Sequence, residues 1–296
     1  MYSARFDLER LMLQPNCQRL EATVKTVREI GGKFQVNGVT ANGATVSLQT
    51  AKVLLAAGSV GTAQLAFDLI GHRNKPVELL STPSAAFAIM LPHRLGQTHE
   101  SRAFGLAQLS FSFDLGSADR GPAFGNVFGT AGLPLYEFAR LAPLSRLAAL
   151  HLFRYLLPAM LVGNCFLPGE YSAHRLMLRD DGRLQISGGY HDEAAARFDD
   201  IRRQLFRTAA GYGAVLLPGS FSRSEPGSDA HYAGTVPMKE VPAPHECNRD
   251  GQVSACPGLY VVDGAALTRL PAKAHTLTIM ANADRIARKL AQQLSG

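Results

Sequence analysis

Histidine and cysteine are the residue types here best suited to proton transfer or metal binding. Cys17, Cys165, Cys247 and Cys256 form no C-x-x-C pair, so their spacing does not indicate a zinc site. Cys247 and Cys256 are close enough in sequence for a disulfide, although reduced thiols are the simpler reading. Two histidines have more distinctive surroundings. His231 opens the run His231-Tyr-Ala-Gly234-Thr235-Val-Pro-Met238. There Gly234 permits close backbone approach and Thr235 can fix the loop through its hydroxyl. His275 stands immediately before an expected helix that starts at Thr276, where unsatisfied N–H groups and the positive end of the helix dipole favour an anion. An imidazole near neutral pKa suits general acid–base work. Taken singly, a loop histidine is more often a surface residue.

The elements that must position these residues are legible from pattern. Residues 20–30, 33–39 and 44–48 are rich in β-branched types, with Gly31-Gly32 and Asn42-Gly43 as turn signals, and read as a small meander. Lys52 to Ala57 is a short apolar run that reads as a buried strand. It passes through Gly58-Ser-Val-Gly61 into a helix over 62–70, with Thr62 as its N-cap. Such a strand–glycine–helix unit exposes backbone N–H groups where a nucleotide can approach, but the same unit is also a plain structural turn. Residues 103–115 alternate like a strand, and 116–134 read as a long Gly/Pro-rich loop. Residues 135–166 read as an apolar helix pair. Arg146, His151, Arg154 and Pro158 within it argue against a bilayer span. A hairpin over 175–187 and an amphipathic helix over 192–211 follow, the helix carrying Phe198, Ile201, Leu205 and Ala209 on one stripe. Leu259 to Asp263-Gly264 is a buried strand ending in Asp-Gly, and 275–290 a helix.

Three segments, 51–65, 228–238 and 258–290, taken in this order, resemble the glucose–methanol–choline (GMC) oxidoreductases. The family pattern has an Ala-Ala-Gly strand with a Thr-x-x-Leu helix start, then His-x-x-Gly-Thr-x-x-Met. It closes with Leu-x-Val-x-Asp-Gly and a His or Asn before a Thr-x-x-Ala helix, here Leu259 to Gly264 and His275-Thr276-Leu-Thr-Ile-Met-Ala281. The likeness is clear over 20–70 and 226–292 and loose between 80 and 225. Two departures stand out. Thr62 is followed by Ala63 where the family has Pro. No G-x-G-x-x-G occurs, the loop that in the family cradles the FAD pyrophosphate. The expectation is therefore a fragment, a split-gene product or a degenerate relative.

The resemblance implies a mixed α/β fold. Residues 1–80 and 226–296 would form part of an FAD-binding domain lacking its N-terminal βαβ unit. Residues 81–225 would form a substrate domain with an antiparallel sheet and covering helices. It also implies FAD-dependent oxidation of an alcohol by hydride transfer to flavin N5, with His231 as general base and His275 orienting the same oxygen, the two roles being exchangeable. Cofactor contacts would fall at Val24 on the adenine side, at Ala57, Gly58, Asp263 and Gly264, and at Thr276 and Leu277 near the isoalloxazine. The missing loop would come from a separate N-terminal FAD-binding polypeptide or an upstream segment. The alternative is a non-catalytic remnant or binding domain of the same fold. The apolar stretch hints at a bulky or lipophilic alcohol, although such a stripe equally serves as core.

Composition narrows the field. Hydrophobic residues at 46% and charged residues at 18% describe a folded globular chain rather than a disordered one. A net charge of +6 without any run of basic residues gives no support to nucleic-acid binding. The opening MYSARFDLER has no apolar signal core, so the expected location is cytoplasmic and no membrane contact is expected. No G-x-S-x-G elbow is present, which argues against a serine hydrolase.

Overall fold

The structure is a computed structural model and describes residues 3–98, 107–116, 119–130, 143–229 and 231–295. A short helix α1 (Ala4–Leu11) leads into an antiparallel meander of Ala22–Ile30, Lys33–Thr40 and Thr45–Thr50. Val27 and Phe34 turn inward and are buried, whereas Leu20, Val24 and Leu48 remain exposed. Val53–Leu55 then runs parallel to Leu259–Val261, so the two ends of the chain share one ladder. Parallel strands need covering on both faces, and α2 (Gly58–Ile70) supplies one cover, burying Ala63, Ala66 and Phe67.

Helix α2 begins at Gly58, earlier than expected. Ala57 occupies the N-cap position, and Thr62 lies inside the helix. The Thr62 hydroxyl is needed elsewhere: it accepts from the Ala57 N–H at 3.0 Å and donates to Asp263 at 2.6 Å.

The middle of the chain builds a six-stranded antiparallel sheet. Ser84–Met90 pairs with Val215–Leu216 and Ser222–Arg223 on one side and with Met160–Phe166 on the other. Beyond these lie Ala123–Gly129 and Leu109–Phe113. Two expectations are overturned here. The supposed loop 116–134 contains the strand Ala123–Gly129. Its glycine is a packing residue, since a Cβ at Gly125 would lie 2.2 Å from the Phe111 ring and 2.6 Å from the Asn164 carbonyl. Where it is described, the supposed helix pair over 135–166 is the helix α3 (Arg146–Leu156), capped by Ser145, and then the strand Met160–Phe166 in place of helix. That strand alternates, with Gly163 and Cys165 buried and its other residues partly open, a period of 2 that an all-apolar run conceals. Residues 103–106 of the expected strand, 117–118 and 131–134 of the expected loop and 135–142 of the expected apolar region lie outside the described residues.

Helix α4 (Asp192–Gly211) covers the inner sheet face. Its buried stripe is Ala194, Phe198, Ile201, Leu205 and Ala209, in one cluster with Phe87 and Cys165. A second cluster joins Val27, Phe34 and Phe67 to Leu259, Val261, Ala265 and Ala266, and draws in Leu176 and Leu178. The hairpin Arg175–Leu178 with Leu184–Ser187 forms as expected and pairs with Val77–Glu78. The chain closes with α5 (Thr276–Ser295). All four cysteines are free. Among the described residues, no helix is long and apolar enough to cross a membrane.

Candidate active site

The three motifs meet in one cradle, and Asp263 is its centre. Asp263 caps the short 3-10 turn Gly264–Ala266, accepting from the Ala265 N–H at 2.9 Å through Oδ1. Its Oδ2 accepts from the Gly58 N–H at 2.8 Å and from the Thr62 hydroxyl. The carboxylate therefore binds the start of α2 to the end of the C-terminal strand. The histidine segment is tied to the same place. The Thr235 hydroxyl donates to the Ser59 carbonyl and the Ser59 hydroxyl donates to the Tyr232 carbonyl, each at 2.7 Å. The Gly234, Val236 and Met238 N–H groups donate to the carbonyls of Gly264, Ala265 and Ala266. A Cβ at Gly264 would lie 3.0 Å from Ser59 Oγ and 3.1 Å from the Tyr232 carbonyl, so glycine is what lets these strands approach.

His231 and His275 come together with ring centroids 5.0 Å apart and planes at 88°. His231 is held by Thr82, whose Oγ1 lies 3.2 Å from Nδ1, and by Phe166, whose ring centroid is 5.5 Å away. The Thr82 contact follows from register: Leu80–Ser81 pairs antiparallel with Tyr232–Ala233, Ser81 opposite Tyr232, which sets Thr82 beside His231. His275 is 9% exposed, and its Nδ1 is buried without a partner. Burial lowers the pKa of both rings from the ordinary histidine value. The charge of Asp229 opposes this at His231, and repulsion from His231 adds to it at His275. Both imidazoles are thus held towards the neutral form that a base requires.

A cleft of about 470 Å³ opens beside the pair, lined by the turn Ala56–Gly61 and by Tyr232, Asp263, Gly264, His275 and Ile279. Of the residues expected to contact a cofactor, Ala57, Gly58, Asp263 and Gly264 line this cleft. Thr276 and Leu277 are exposed at the start of α5 next to His275, Leu277 being 77% exposed. Val24 is not brought to the cleft. It lies on the outer face of the meander, in a separate groove with Leu20, Val36 and Leu48. The Asp263 carboxylate and the Gly58 N–H spend their hydrogen bonds on each other, so they shape the cleft rather than offer free groups to a ligand. Sequence reasoning missed Thr82, Asp229 and Phe166. Strand pairing brings Thr82 and Phe166 to His231, which no local pattern marks, whereas Asp229 stands two residues before it in the same segment and its nearness could have been read there. A larger cleft of about 510 Å³ lies against α4 beneath Arg202, Arg203 and Arg207 and contains neither histidine.

The residues fit the redox end of a flavin. An unpartnered buried imidazole nitrogen, a helix start and a glycine-lined cleft converge there, while the sequence offers no glycine-rich pyrophosphate loop.

Residues 191–283 match the family model described as GMC oxidoreductase. A C-glycoside 3-oxidase of Arthrobacter globiformis is 35% identical over 98 residues, which are 33% of this chain and 19% of that protein. The solved structure of pyridoxine 4-oxidase from Mesorbium loti matches with a TM-score of 0.56 at 13% identity, over 92% of this chain and 57% of that one. At that identity the second likeness concerns the fold alone, a mixed α/β architecture with antiparallel sheets. The chain spans less than two thirds of either protein.

Proposed function

We propose that this chain, which is similar to the C-terminal portion of GMC oxidoreductases, supplies the histidine pair and substrate face for FAD-dependent oxidation of an alcohol. The observation that carries this reading is the perpendicular approach of His231 to His275, ring centroids 5.0 Å apart, with His275 lining the cleft. FAD, when bound, supplies the two-electron acceptor. In the tautomer this role requires, Nδ1–H of His231 faces Thr82 Oγ1, 3.2 Å away, and Nε2 takes the hydroxyl proton as the carbinol hydride departs to the flavin and a carbonyl forms. His275 hydrogen-bonds the same oxygen, and the start of α5 favours negative charge developing nearby. The pyrophosphate contacts come from a segment or polypeptide beyond the residues of this chain.

The substrate class this site fits is a hydroxyl-bearing ring. Phe166 pairs with Phe124 on the open face of the six-stranded sheet, a flat apolar platform beside His231. One row along the same face, Asn126 Nδ2 donates to Asn164 Oδ1 at 3.3 Å, and Ser110 Oγ donates to Asn126 Oδ1 at 2.9 Å. Apolar walls with a few amide and hydroxyl groups suit a ring with several hydroxyls. The identified relative's action on a C-glycoside agrees with this. The stretch that hinted at a lipophilic alcohol is, where described, a surface helix and a sheet strand.

The test is anaerobic reduction of bound flavin, followed by its absorbance, with a methyl glycoside and a long-chain alcohol compared. Bleaching by the glycoside in the native chain, and its loss in His231→Ala with flavin retained, are expected. Retained flavin that no alcohol bleaches would favour the non-catalytic binding domain instead.

A further inference from the structure

His231 has a buried carboxylate as a neighbour that neither motif nor mechanism has used. Asp229, two residues earlier, is 7% exposed. Its Oδ1 accepts from the Tyr190 hydroxyl at 2.8 Å, and its Oδ2 accepts from the Ser81 hydroxyl at 2.9 Å. Ser81 Oγ also lies 3.2 Å from His174 Nδ1, and the Ser81 N–H donates to Ser172 Oγ at 3.1 Å. His174 stands edge-on to the Tyr190 ring. Ser81 is followed directly by Thr82, the residue that holds His231 Nδ1. Asp229 is thus bonded to one residue of a buried dipeptide while His231 is bonded to the next.

We propose that Asp229 is a positioning residue for the histidine pair: through Ser81 and Thr82 it fixes the His231 ring, and its carboxylate is the counter-charge to the imidazolium formed when His231 takes a proton. The inference rests on the reading of His231 as the base. An isolated buried charge is costly, and a carboxylate kept in place by two hydroxyl donors needs a purpose beyond packing. Burial raises the pKa of Asp229, the hydroxyls of Tyr190 and Ser81 oppose that rise, and the charges of His174 and His231 oppose it further. The groups facing His231 are Asp229, His275, Thr82 and Phe166. Lys273 lies over Phe124, the strand partner of Phe166, and belongs to the loop that carries His275. Among the described residues, Asp229 is the acidic group that faces the ring.

The consequence is specific. Without the charge, His231 protonates less readily, so its titration moves to lower pH. Proton transfer in the transition state weakens as well. A purely structural loss would lower the rate without moving the titration.

The experiment is a ring-nitrogen NMR titration of the full chain, with His231 assigned by His231→Gln, in the native protein, Asp229→Asn and Asp229→Glu. No flavin is required, so its outcome is separate from that of the alcohol reaction. In Asp229→Asn the His231 titration moves to lower pH, and Asp229→Glu returns it towards the native position. In the flavin-loaded enzyme the same substitution lowers kcat/KM about tenfold and shifts its acid limb to lower pH, a factor that corresponds to one pKa unit. A folded Asp229→Asn chain whose His231 titrates as in the native protein overturns the proposal. If Asp229→Asn does not fold, Thr82→Val takes its place. Loss of the single Nδ1–H tautomer in its nitrogen shifts supports the brace, and an unchanged tautomer overturns it.

Discussion

The Asp263 cradle and the three-stranded meander share one hydrophobic core but are held together by different means. In the cradle, polar side chains reach across the whole length of the chain: Asp263 to Gly58 and Thr62, Thr235 to Ser59, Ser59 to Tyr232. Each contact demands one residue type in one geometry. In the meander, Val27 and Phe34 face the core, and most of the binding is the ladder itself between neighbours in sequence. Many β-formers would serve there. Sensitivity to substitution should therefore concentrate in the cradle and the histidines it carries, and the following predictions rank that contrast.

The largest effect is expected at the histidines. His231→Ala should lower alcohol-driven flavin reduction by about 10²- to 10⁴-fold, the usual worth of a positioned general base, with the melting curve little changed. Stopped-flow absorbance measures it. A loss of only a few-fold would detach chemistry from the cradle.

Next comes the cradle's centre. Asp263→Ala leaves the Gly58 and Ala265 N–H groups and the Thr62 hydroxyl without their acceptor in a buried setting. Unsatisfied buried donors cost about 1–3 kcal/mol each, and partial rehydration reduces the sum, so a loss of about 3–5 kcal/mol is expected in urea unfolding. A native-like midpoint would show that the clamp is dispensable.

These two regions also differ in how far the sequence announces them. The cradle's members were visible as motifs because close backbone approach demands Gly264 and Gly234, and capping demands an Asp or Ser at the strand end. The amphipathic stripe of α4 was equally plain, since Phe198, Ile201, Leu205 and Ala209 recur at helical spacing. Ala123–Gly129 was hidden because its glycines read locally as loop, although Gly125 is there to admit the Phe111 ring. Met160–Phe166 was hidden because an apolar run long enough for a helix has no visible period. Thr82 and Phe166 reach His231 only through strand register, and the bonds from Ser81 and Tyr190 that fix Asp229, two residues before His231, are ones no local pattern encodes.

Acid should separate the regions too. The meander holds no histidine, while burial lowers the pKa of His174, His231 and His275 around the site and of His72 at the end of α2. With folded values below the ordinary 6.5, the unfolded chain binds protons first. Stability should hold above about pH 7 and fall as pH drops through 6.5 towards the lowered folded values. Asp229, raised above 3.8, acts in the opposite sense at lower pH. Thermal melts from pH 8 to 5 test this, and the double variant His231→Asn with His275→Asn should flatten the slope. An unchanged slope in that variant would place the acid sensitivity elsewhere.

The smallest expected effect is on the outer face of the meander. Val24 is 42% exposed, next to a bulge in its strand, and touches no part of the cleft. Val24→Thr keeps the β-branch and exchanges one exposed methyl for a hydroxyl, so urea unfolding should move by no more than about 0.5 kcal/mol. If Val24 also borders the adenine of a bound FAD, as the resemblance implies, a bulkier change such as Val24→Arg should weaken flavin retention while leaving unfolding nearly unchanged. Flavin affinity and stability would then part company at this one residue, in contrast to Asp263, where both should fall together. If flavin retention is the same in Val24→Arg as in the native chain, the groove on this face has no part in cofactor binding, and the cradle alone marks where the flavin meets this chain.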